Sequence, residues 1–307
     1  DTILFFTDKG KVYSERVFEL PEESRQGRGI PLVNIINLES EETVTAVLPV
    51  EKFDQAKYCA MATQLGRVKR VPMSDFENVR PSGLIAIRLN DGDELGWVRM
   101  TSGKDDLLIV TRQGKALRFT ESEVRPTGRT TMGVTGIRLR GDDRLVSMDV
   151  VEPEGYLLVI TDKGQGKRTP LDEYLAKSRG TLGVTTISQE ARPEIGDIAQ
   201  AMVVLEEEDI TTITRAGIVL RTKVTDISIQ GRATQGVRIM DIDEGDNLAA
   251  MVRISAEEVE TAAKAREQAL AEEAEENPVI QTETEVTENQ EEDDASDIED
   301  DAENSAD

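Results

Sequence analysis

The stretch VTRQGKAL, residues 110–117, carries the pattern that decides the fold. The aliphatic run LLIV leads into it, and Gly114 lies in the short polar turn at its centre. A second run, KALRF, leaves the turn. Two such runs around a short turn predict a β-hairpin, because glycine tolerates the positive φ that tight turns require.

The same hairpin pattern occurs four more times along the chain. The other copies are FTDKGKVY (residues 6–13), ATQLGRVK (62–69), ITDKGQGK (160–167) and ITRAGIVL (213–220). Their shared glycines are 56, 48, 50 and 53 residues apart: Gly10, Gly66, Gly114, Gly164 and Gly217. Self-similarity at a period of about 50 residues is typical of propeller-like arrays, in which each repeat is one structural unit.

A second glycine follows the hairpin glycine by 19 residues in four repeats and by 17 in the second repeat: Gly29, Gly83, Gly133, Gly183 and Gly236. After it, a third strand such as residues 136–139 and a fourth such as 144–151 are predicted. Four short strands in each repeat predict one propeller blade per repeat. We therefore expect an all-β domain over residues 1–255, with repeats at about 1–52, 53–104, 105–155, 156–207 and 208–255.

The remaining segment, residues 256–307, has a different composition. Ser255 and Glu258 have the spacing of a helix capping box, and the residues that follow favour helix. From Asn277 onward the sequence is acidic and poor in large apolar residues, so we expect disorder. This tail holds 21 acidic and two basic residues, for a net charge of −19 out of a total of −25. The body is nearly balanced at −6, so the charge excess belongs to the tail.

Composition excludes several classes of function. The chain of 307 residues has no histidine and one cysteine, Cys59, which excludes histidine-based catalysis, a disulfide framework and cysteine zinc sites. The acidic turns at residues 90–94, 140–144 and 243–247 lack the ligand spacing of a calcium loop and are predicted to be plain turns. No apolar run is long enough to cross a membrane. We expect no catalytic residue, metal or cofactor in this chain, and we expect its start, inside a predicted strand, to be a cut.

Arginine accompanies the second glycine in every repeat. The pattern Arg-x-Thr-x-Gly occurs at Arg129, Arg179 and Arg232, the first repeat places Arg25 and Arg28 there, and the second places Arg80. Further bases recur at equal offsets on the second and third strands or beside these loops: Lys69, Arg70, Arg88, Arg118, Arg125, Arg138, Lys167, Arg168, Lys177 and Arg221. Equal offsets in repeated strands put side chains on equal faces, so these residues predict a basic rim.

A basic rim on a body of balanced charge suits a long polyanion. Duplex DNA carries one charge per about 1.7 Å of axis, and arginine, lysine, hydroxyl and backbone N–H groups contact its phosphates. Such contacts carry little base information. At 4% aromatic residues, stacking on bases is a minor mode. The rim therefore predicts binding and bending of double-stranded DNA with weak sequence preference.

The five repeats, with their TDKG-type hairpins and R-x-[GT]-x-G-[VI] loops, resemble the C-terminal DNA-wrapping domains of gyrase A proteins, within the type IIA DNA topoisomerases. The resemblance covers essentially residues 1–254, and the acidic tail also resembles that of proteobacterial members. It implies a β-pinwheel, a propeller-like disc of usually six blades whose neighbours exchange strands and whose basic perimeter wraps DNA.

The resemblance also implies a context for the chain. The whole enzyme would use the wrapped segment for ATP-dependent negative supercoiling in an A2B2 complex with the gyrase B subunit. ATP and magnesium would belong to the rest of that complex, in the bacterial cytoplasm at the nucleoid. No membrane partner is expected, the isolated domain is expected to be a monomer, and the acidic tail is expected to compete with DNA for the rim.

Two departures from the family pattern keep alternatives open. The family's Gln-Arg-Arg-Gly-Gly-Lys-Gly box is not in this chain, and SRQGRGI (residues 24–30) and its successors are similar to degenerate copies of it. Five repeats rather than six predict a disc that is open or one blade short. Two alternatives remain. One is the C-terminal domain of the topoisomerase IV subunit that corresponds to gyrase A, and the other is a propeller that serves as a protein-interaction scaffold.

Overall fold

The computed structural model of the chain describes residues 1–21, 29–243, 245–261 and 264. The predictions for Arg25, Arg28 and a disordered tail lie outside these residues. The first residues of the tail are described and are helical from 256 to 261. The predicted capping box is confirmed there, since Glu258 N donates to Ser255 Oγ (3.3 Å) and Ser255 N donates to Glu258 Oε2 (2.8 Å).

The described part of the chain consists mainly of short strands. Repeat 1 contributes β1 (Thr2–Thr7), β2 (Lys11–Arg16) and β3 (Val44–Val50). Repeat 2 contributes β4 (Tyr58–Thr63), β5 (Arg67–Pro72), β6 (Leu84–Ile85) and β7 (Leu95–Thr101). Repeat 3 contributes β8 (Asp106–Thr111), β9 (Lys115–Thr120), β10 (Val134–Thr135) and β11 (Leu145–Val150). Repeat 4 contributes β12 (Tyr156–Thr161), β13 (Gln165–Pro170), β14 (Val184–Thr185) and β15 (Ile198–Val204). Repeat 5 contributes β16 (Asp209–Thr214), β17 (Val219–Lys223), β18 (Val237–Arg238) and β19 (Leu248–Ile254).

Helical segments are short and connect these strands. One helical turn, α1 (Arg192–Ile195), precedes β15. In the described ranges, five 3-10 turns each follow a hairpin: Val17–Glu19, Met73–Phe76, Glu121–Glu123, Leu171–Glu173 and Val224–Asp226. A sixth, Leu32–Asn34, follows Gly29. No helix in the described ranges is long and apolar enough to cross a membrane.

Neighbouring repeats exchange one strand. The first sheet has the order β3-β1-β2-β6, so β6 of repeat 2 completes the blade built by repeat 1. The next three sheets repeat this arrangement with β10, β14 and β18, and the fifth sheet is β17-β16-β19 among the described residues. The all-β, propeller-like fold and the strand exchange implied by the family resemblance are confirmed. The prediction that all four strands of a blade come from one repeat is wrong, because the third strand of repeats 2 to 5 pairs with the repeat before it.

The exchanged strands are also shorter than the sequence predicted. In repeat 3 the third strand is Val134–Thr135 rather than residues 136–139. The chain bends after it because Gly136 N and Ile137 N both donate to Gly66 O, at 2.8 and 3.3 Å. Ile137 then enters the core, where it is fully buried. The hairpin glycine of one repeat is thus the point where the next repeat leaves the sheet.

The apolar core lies between successive blades. The strands β3, β7, β11, β15 and β19 pack against one another in chain order, and each hairpin presents one apolar face to the next blade. Between blades 1 and 2, for example, Leu4, Phe6 and Val12 pack with Met61 and Phe76. Burial of this apolar surface is the main force that holds the blades together.

The acidic turns cap the hairpins. Asp93 accepts hydrogen bonds from Thr63 Oγ1 (2.7 Å) and Leu65 N (2.9 Å) in the hairpin of its own repeat. Asp143 accepts from Gln113 N (2.9 Å) and Asp246 from Ala216 N (3.0 Å) at the equivalent places. These aspartates are therefore committed to donors within the hairpins. Among the described residues, no group of three or more histidine, cysteine or carboxylate side chains is arranged to hold a metal ion.

Candidate nucleic-acid interface

The glycine-arginine loops lie along the outer edges of the blades. We define loop 3 as residues 127–133, loop 4 as 177–183 and loop 5 as 230–236. Each begins with a backbone hydrogen bond to the outer hairpin strand of the preceding repeat: Thr127 N to Arg70 O (3.0 Å), Lys177 N to Arg118 O (2.8 Å) and Gln230 N to Arg168 O (2.9 Å). Each ends in the exchanged strand that pairs with the same hairpin strand.

Backbone hydrogen bonds also tie each loop to the residues that follow the exchanged strand of the preceding repeat. Arg88 N donates to Thr131 O of loop 3 (3.1 Å), Arg138 N to Thr181 O of loop 4 (2.8 Å), and Ser188 N to Thr234 O of loop 5 (3.0 Å). Two of these three links carry an exposed arginine, Arg88 or Arg138. The loops therefore form one continuous track in which cations recur at matching positions.

Glycine is required where each loop turns into the exchanged strand. Gly133 has φ +72°, and a Cβ atom there would lie 2.5 Å from Val68 O of the strand it joins. Both the left-handed backbone and the close approach exclude a side chain. The second glycine of the repeat is thus a structural element that brings the loop against the blade.

Replacement of Gly133 by alanine is expected to lower the free energy of unfolding by about 2 kcal/mol, because the new Cβ meets backbone and the positive φ becomes strained. Gly128, at the other end of loop 3, has no positive φ, and a Cβ there meets no atom within 4 Å. Gly128→Ala is the matched control and should change stability by less than about 0.5 kcal/mol. Urea unfolding of both variants tests this, and equal losses would contradict it.

Six of the cations predicted from the sequence have side chains without a hydrogen-bond or ion-pair partner in the described part of the chain. Arg129 is half-buried, and the other five are exposed: Arg80, Arg88, Arg125, Arg138 and Lys177. Their charges are uncompensated by a direct neighbour. They are the side chains best placed to meet an anion.

Four more arginines have protein partners. Arg118 pairs with Asp106 and Arg221 with Asp209, both at 2.8 Å, across their own hairpins, and Arg118 Nη1 also donates to Leu171 O (3.3 Å). Arg232 lies 3.7 Å from Glu173. The Arg179 guanidinium donates to Glu123 O and Thr135 O, both at 3.0 Å. These side chains would share or exchange a partner on meeting a phosphate.

The other four predicted cations lie in the interior instead of on the rim. Lys69 and Lys167 are 1% exposed, and Arg70 and Arg168 are 5% and 6% exposed. Arg70 donates to Val124 O (2.8 Å) and pairs with Glu121 (2.9 Å), and Arg168 makes equivalent bonds to Ile227 O and Glu206. Their side chains fasten the chain of the next repeat, so we remove these four from the set expected to contact DNA.

A basic residue directly after the hairpin glycine also contacts the loops, and it was not among the cations predicted from the sequence. Arg67 donates to Met132 O (3.1 Å) and Gly133 O (2.8 Å) of loop 3. Lys115 donates to Thr185 Oγ1 (2.9 Å) in β14, the exchanged strand that follows loop 4. The signal was present, since Lys11, Arg67 and Lys115 share this offset in the first three repeats.

Comparison with known proteins agrees with this architecture. A sequence model described as "DNA gyrase C-terminal domain, beta-propeller" matches residues 1–51, 57–102, 105–152, 155–204 and 208–255. The gyrase A protein of Halalkalibacterium halodurans is 52% identical over 259 residues, which are 84% of this chain and 31% of that protein. The gyrase A protein of Escherichia coli is 41% identical over 255 residues, 83% of this chain and 29% of that protein. The chain thus spans about a third of the length of these relatives.

Two solved structures are similar to the chain. The C-terminal domain of DNA topoisomerase IV aligns with a TM-score of 0.78 at 29% identity, covering 88% of this chain and 84% of that one. The DNA gyrase A C-terminal domain aligns with a TM-score of 0.73 at 25% identity, covering 83% of each chain.

Proposed function

This chain belongs to the DNA gyrase C-terminal domain family, and from that premise we propose that it binds and bends duplex DNA along the outer edges of its blades. The observation that carries the proposal is the recurrence of solvent-facing cations on loops that backbone bonds link into one track. A ligand with regularly spaced negative charge along a curved path matches this arrangement. Bending DNA onto it has an elastic cost, which additional contacts along the track offset.

The chemistry of the track supports weak sequence preference. Its side chains are arginine, lysine and threonine on glycine-containing loops, which suit phosphate oxygens rather than base edges. Each loop projects only a few atoms, and no helix of groove-reading length lies on the rim in the described ranges. We propose that the chain reads the backbone and curvature of DNA, and that it needs no cofactor of its own.

In the complete enzyme, we propose, the bound segment is presented for negative supercoiling driven by ATP hydrolysis. The partners would be the rest of gyrase A and the gyrase B subunit in an A2B2 complex, at the bacterial nucleoid in the cytoplasm. ATP and magnesium would be bound by those other parts. The isolated domain is proposed to be a monomer.

A second candidate is the equivalent domain of topoisomerase IV, favoured by the TM-score of 0.78 with that domain. A topology assay tests whether the chain wraps DNA, because a domain that wraps DNA traps supercoils in a relaxed circle when a nicking-closing enzyme is present. A domain that binds without wrapping leaves the linking number unchanged. The protein-scaffold alternative is separated by the salt dependence of DNA binding.

Duplex binding is expected to weaken steeply with salt. If about six cations each neutralise a phosphate, the slope of log affinity against log salt is about −5, and doubling the salt concentration lowers affinity about 30-fold. Fluorescence anisotropy with two unrelated duplexes of equal length, at several salt concentrations, measures the slope. The two duplexes should give the same slope. A slope near zero, or no binding at low salt, would argue for the protein scaffold instead.

A further inference from the structure

Two buried lysines occupy the same place in alternate blades. Lys69 on β5 and Lys167 on β13 each follow their hairpin glycine by three residues, and each is 1% exposed. In the other repeats this position holds an uncharged side chain: Tyr13, Leu117 and Leu220. A buried ammonium group is costly unless it is fully hydrogen-bonded, so a specific role is expected where it occurs.

Both ammonium groups bind the backbone of the loop that crosses them. Lys69 Nζ donates to Ala86 O (2.9 Å), to Thr131 O of loop 3 (3.1 Å) and to Arg129 O of loop 3. Three donors thus meet three carbonyl acceptors, two of them in the loop that carries Arg129.

Lys167 makes the same kind of contact with loop 5. Its Nζ atom donates to Gly231 O (2.5 Å), Arg232 O (2.6 Å) and Thr234 Oγ1 (2.9 Å). Carbonyl oxygens carry partial negative charge and repel phosphate. In both loops the lysine turns such oxygens toward the blade and away from an approaching anion.

We propose that Lys69 and Lys167 are positioning residues, which hold loops 3 and 5 in the conformation that presents Arg129 and Arg232 to the DNA backbone. This inference rests on the proposed function. The lysines do not touch the phosphate themselves, and their effect on binding passes through the loop.

Loop 4 supports this division of roles. The position beneath it holds Leu117, which cannot bind the loop backbone. There the loop arginine, Arg179, uses its own guanidinium to hold Glu123 O and Thr135 O. In loop 3, where Lys69 holds the backbone, the Arg129 guanidinium has no such partner among the described residues. Lys69 therefore leaves the Arg129 guanidinium available for a ligand, whereas Arg232 above Lys167 keeps Glu173 as a partner at 3.7 Å.

The two lysines provide a pH signature for this role. Burial lowers the pKa of each lysine from 10.5 to about 8. The groups that face them are Cys59, Asp75 and Arg129 at Lys69, and Glu173 at Lys167. Arginine does not titrate near pH 8, burial raises the pKa of Cys59, and the chain has no histidine.

The signs of the pH effects on binding and on stability are opposite. A bound phosphate stabilises the ammonium form and raises the lysine pKa, so binding takes up protons and weakens as pH rises from 7 to 9. The lysine pKa of about 8 in the folded chain lies below the value of 10.5 in the unfolded chain. Folding therefore releases protons between pH 8 and pH 10.5, and the free energy of unfolding rises with pH in that range. Loss of binding at pH 9 therefore does not arise from unfolding through these groups.

The test compares the wild-type chain, the Lys69→Met/Lys167→Met double variant and the control Leu117→Met, which changes the same position in repeat 3. Affinity for a duplex at 0.1 M salt is measured at pH 7 and pH 9, and amide hydrogen exchange is measured in the three loops. Wild type and control are expected to bind about tenfold more weakly at pH 9. The double variant is expected to bind about tenfold more weakly at pH 7, with no further loss at pH 9 and faster exchange in loops 3 and 5 only.

Several outcomes overturn the inference while the proposed function stands. These are wild-type affinity in the double variant, a retained pH dependence in it, or unchanged exchange in loops 3 and 5. If the methionine variant fails to fold, Lys69→Leu and Lys167→Leu introduce the residue that repeats 3 and 5 carry at this position. If the wild-type chain does not bind DNA at low salt, the proposed function fails, and the exchange data alone decide whether the lysines hold the loops.

Discussion

Glu121→Gln is expected to lower the free energy of unfolding by about 3–5 kcal/mol. Glu121 is fully buried, and all its partners are donors: Arg70 Nη1 (2.9 Å), Thr101 Oγ1 (2.7 Å), Gly103 N (2.6 Å) and Asp105 N (3.0 Å). Glutamine offers one oxygen and sets an N–H group against the remaining donors. It also leaves the buried Arg70 without a counter-charge. Urea unfolding measures the loss.

Glu206→Gln is the matched control because Glu206 pairs with Arg168, the equivalent of Arg70, at the same 2.9 Å. The Glu206 side chain is 48% exposed, so water compensates for the lost charge and the expected loss is below about 1 kcal/mol. The double variant Arg70→Met/Glu121→Leu removes both buried charges and should be more stable than Glu121→Gln. A loss below about 1 kcal/mol for Glu121→Gln would contradict the assignment of a buried ion pair.

The buried ion pair also bears on the candidate interface. The Arg70 side chain donates to Val124 O, next to the exposed Arg125, and its carbonyl oxygen accepts the first backbone bond of loop 3. Its guanidinium stacks over the Tyr58 ring at 4.4 Å. Loss of Glu121 should therefore loosen loop 3 as well as the core between blades 2 and 3. The two effects share one cause.

The hairpins were predictable from sequence because their determinants are local. A glycine in the turn and aliphatic runs on both sides act within a few residues, and five copies at nearly equal spacing removed ambiguity. The exchanged strands were not predictable from the residues alone. A strand of two residues, such as Val134–Thr135, has no periodicity, and its partner on β5 lies in the preceding repeat, far away in the sequence.

Burial of the arginines four residues after the hairpin glycine depends on a residue at the start of the hairpin. Repeats 2 and 4 carry Tyr58 and Tyr156 there, and Arg70 and Arg168 stack on these rings. Repeats 3 and 5 carry Asp106 and Asp209 instead, which pair with Arg118 and Arg221; Arg118 is half-buried and Arg221 is exposed. The arginine pattern alone does not separate the two cases, because the alternation of tyrosine and aspartate decides them. The buried lysines share the two tyrosine repeats.

Simultaneous replacement of Arg129, Arg179 and Arg232 by alanine is expected to lower affinity about 100-fold at 0.1 M salt on every duplex tested. It should also make the log–log salt slope shallower by about 3, since each arginine that neutralises a phosphate contributes about 0.9. Uniform loss across sequences follows because the contacts are to the backbone. Anisotropy titrations of the triple variant against the same duplexes measure both quantities.

The control for this triple variant removes the same charge elsewhere. Arg112, Arg144 and Arg215 are exposed and lie outside the loops, in turns between strands; Arg112 pairs with Asp197 at 2.9 Å. Their replacement by alanine should change affinity less than about fivefold, through the long-range field alone. Equal losses in the two triple variants would mean that net charge, and not the loop track, governs binding. Arg179 also holds two carbonyl oxygens, so melting curves accompany the titrations. A melting transition below the assay temperature for the loop variant alone would assign these arginines to the fold rather than to the interface.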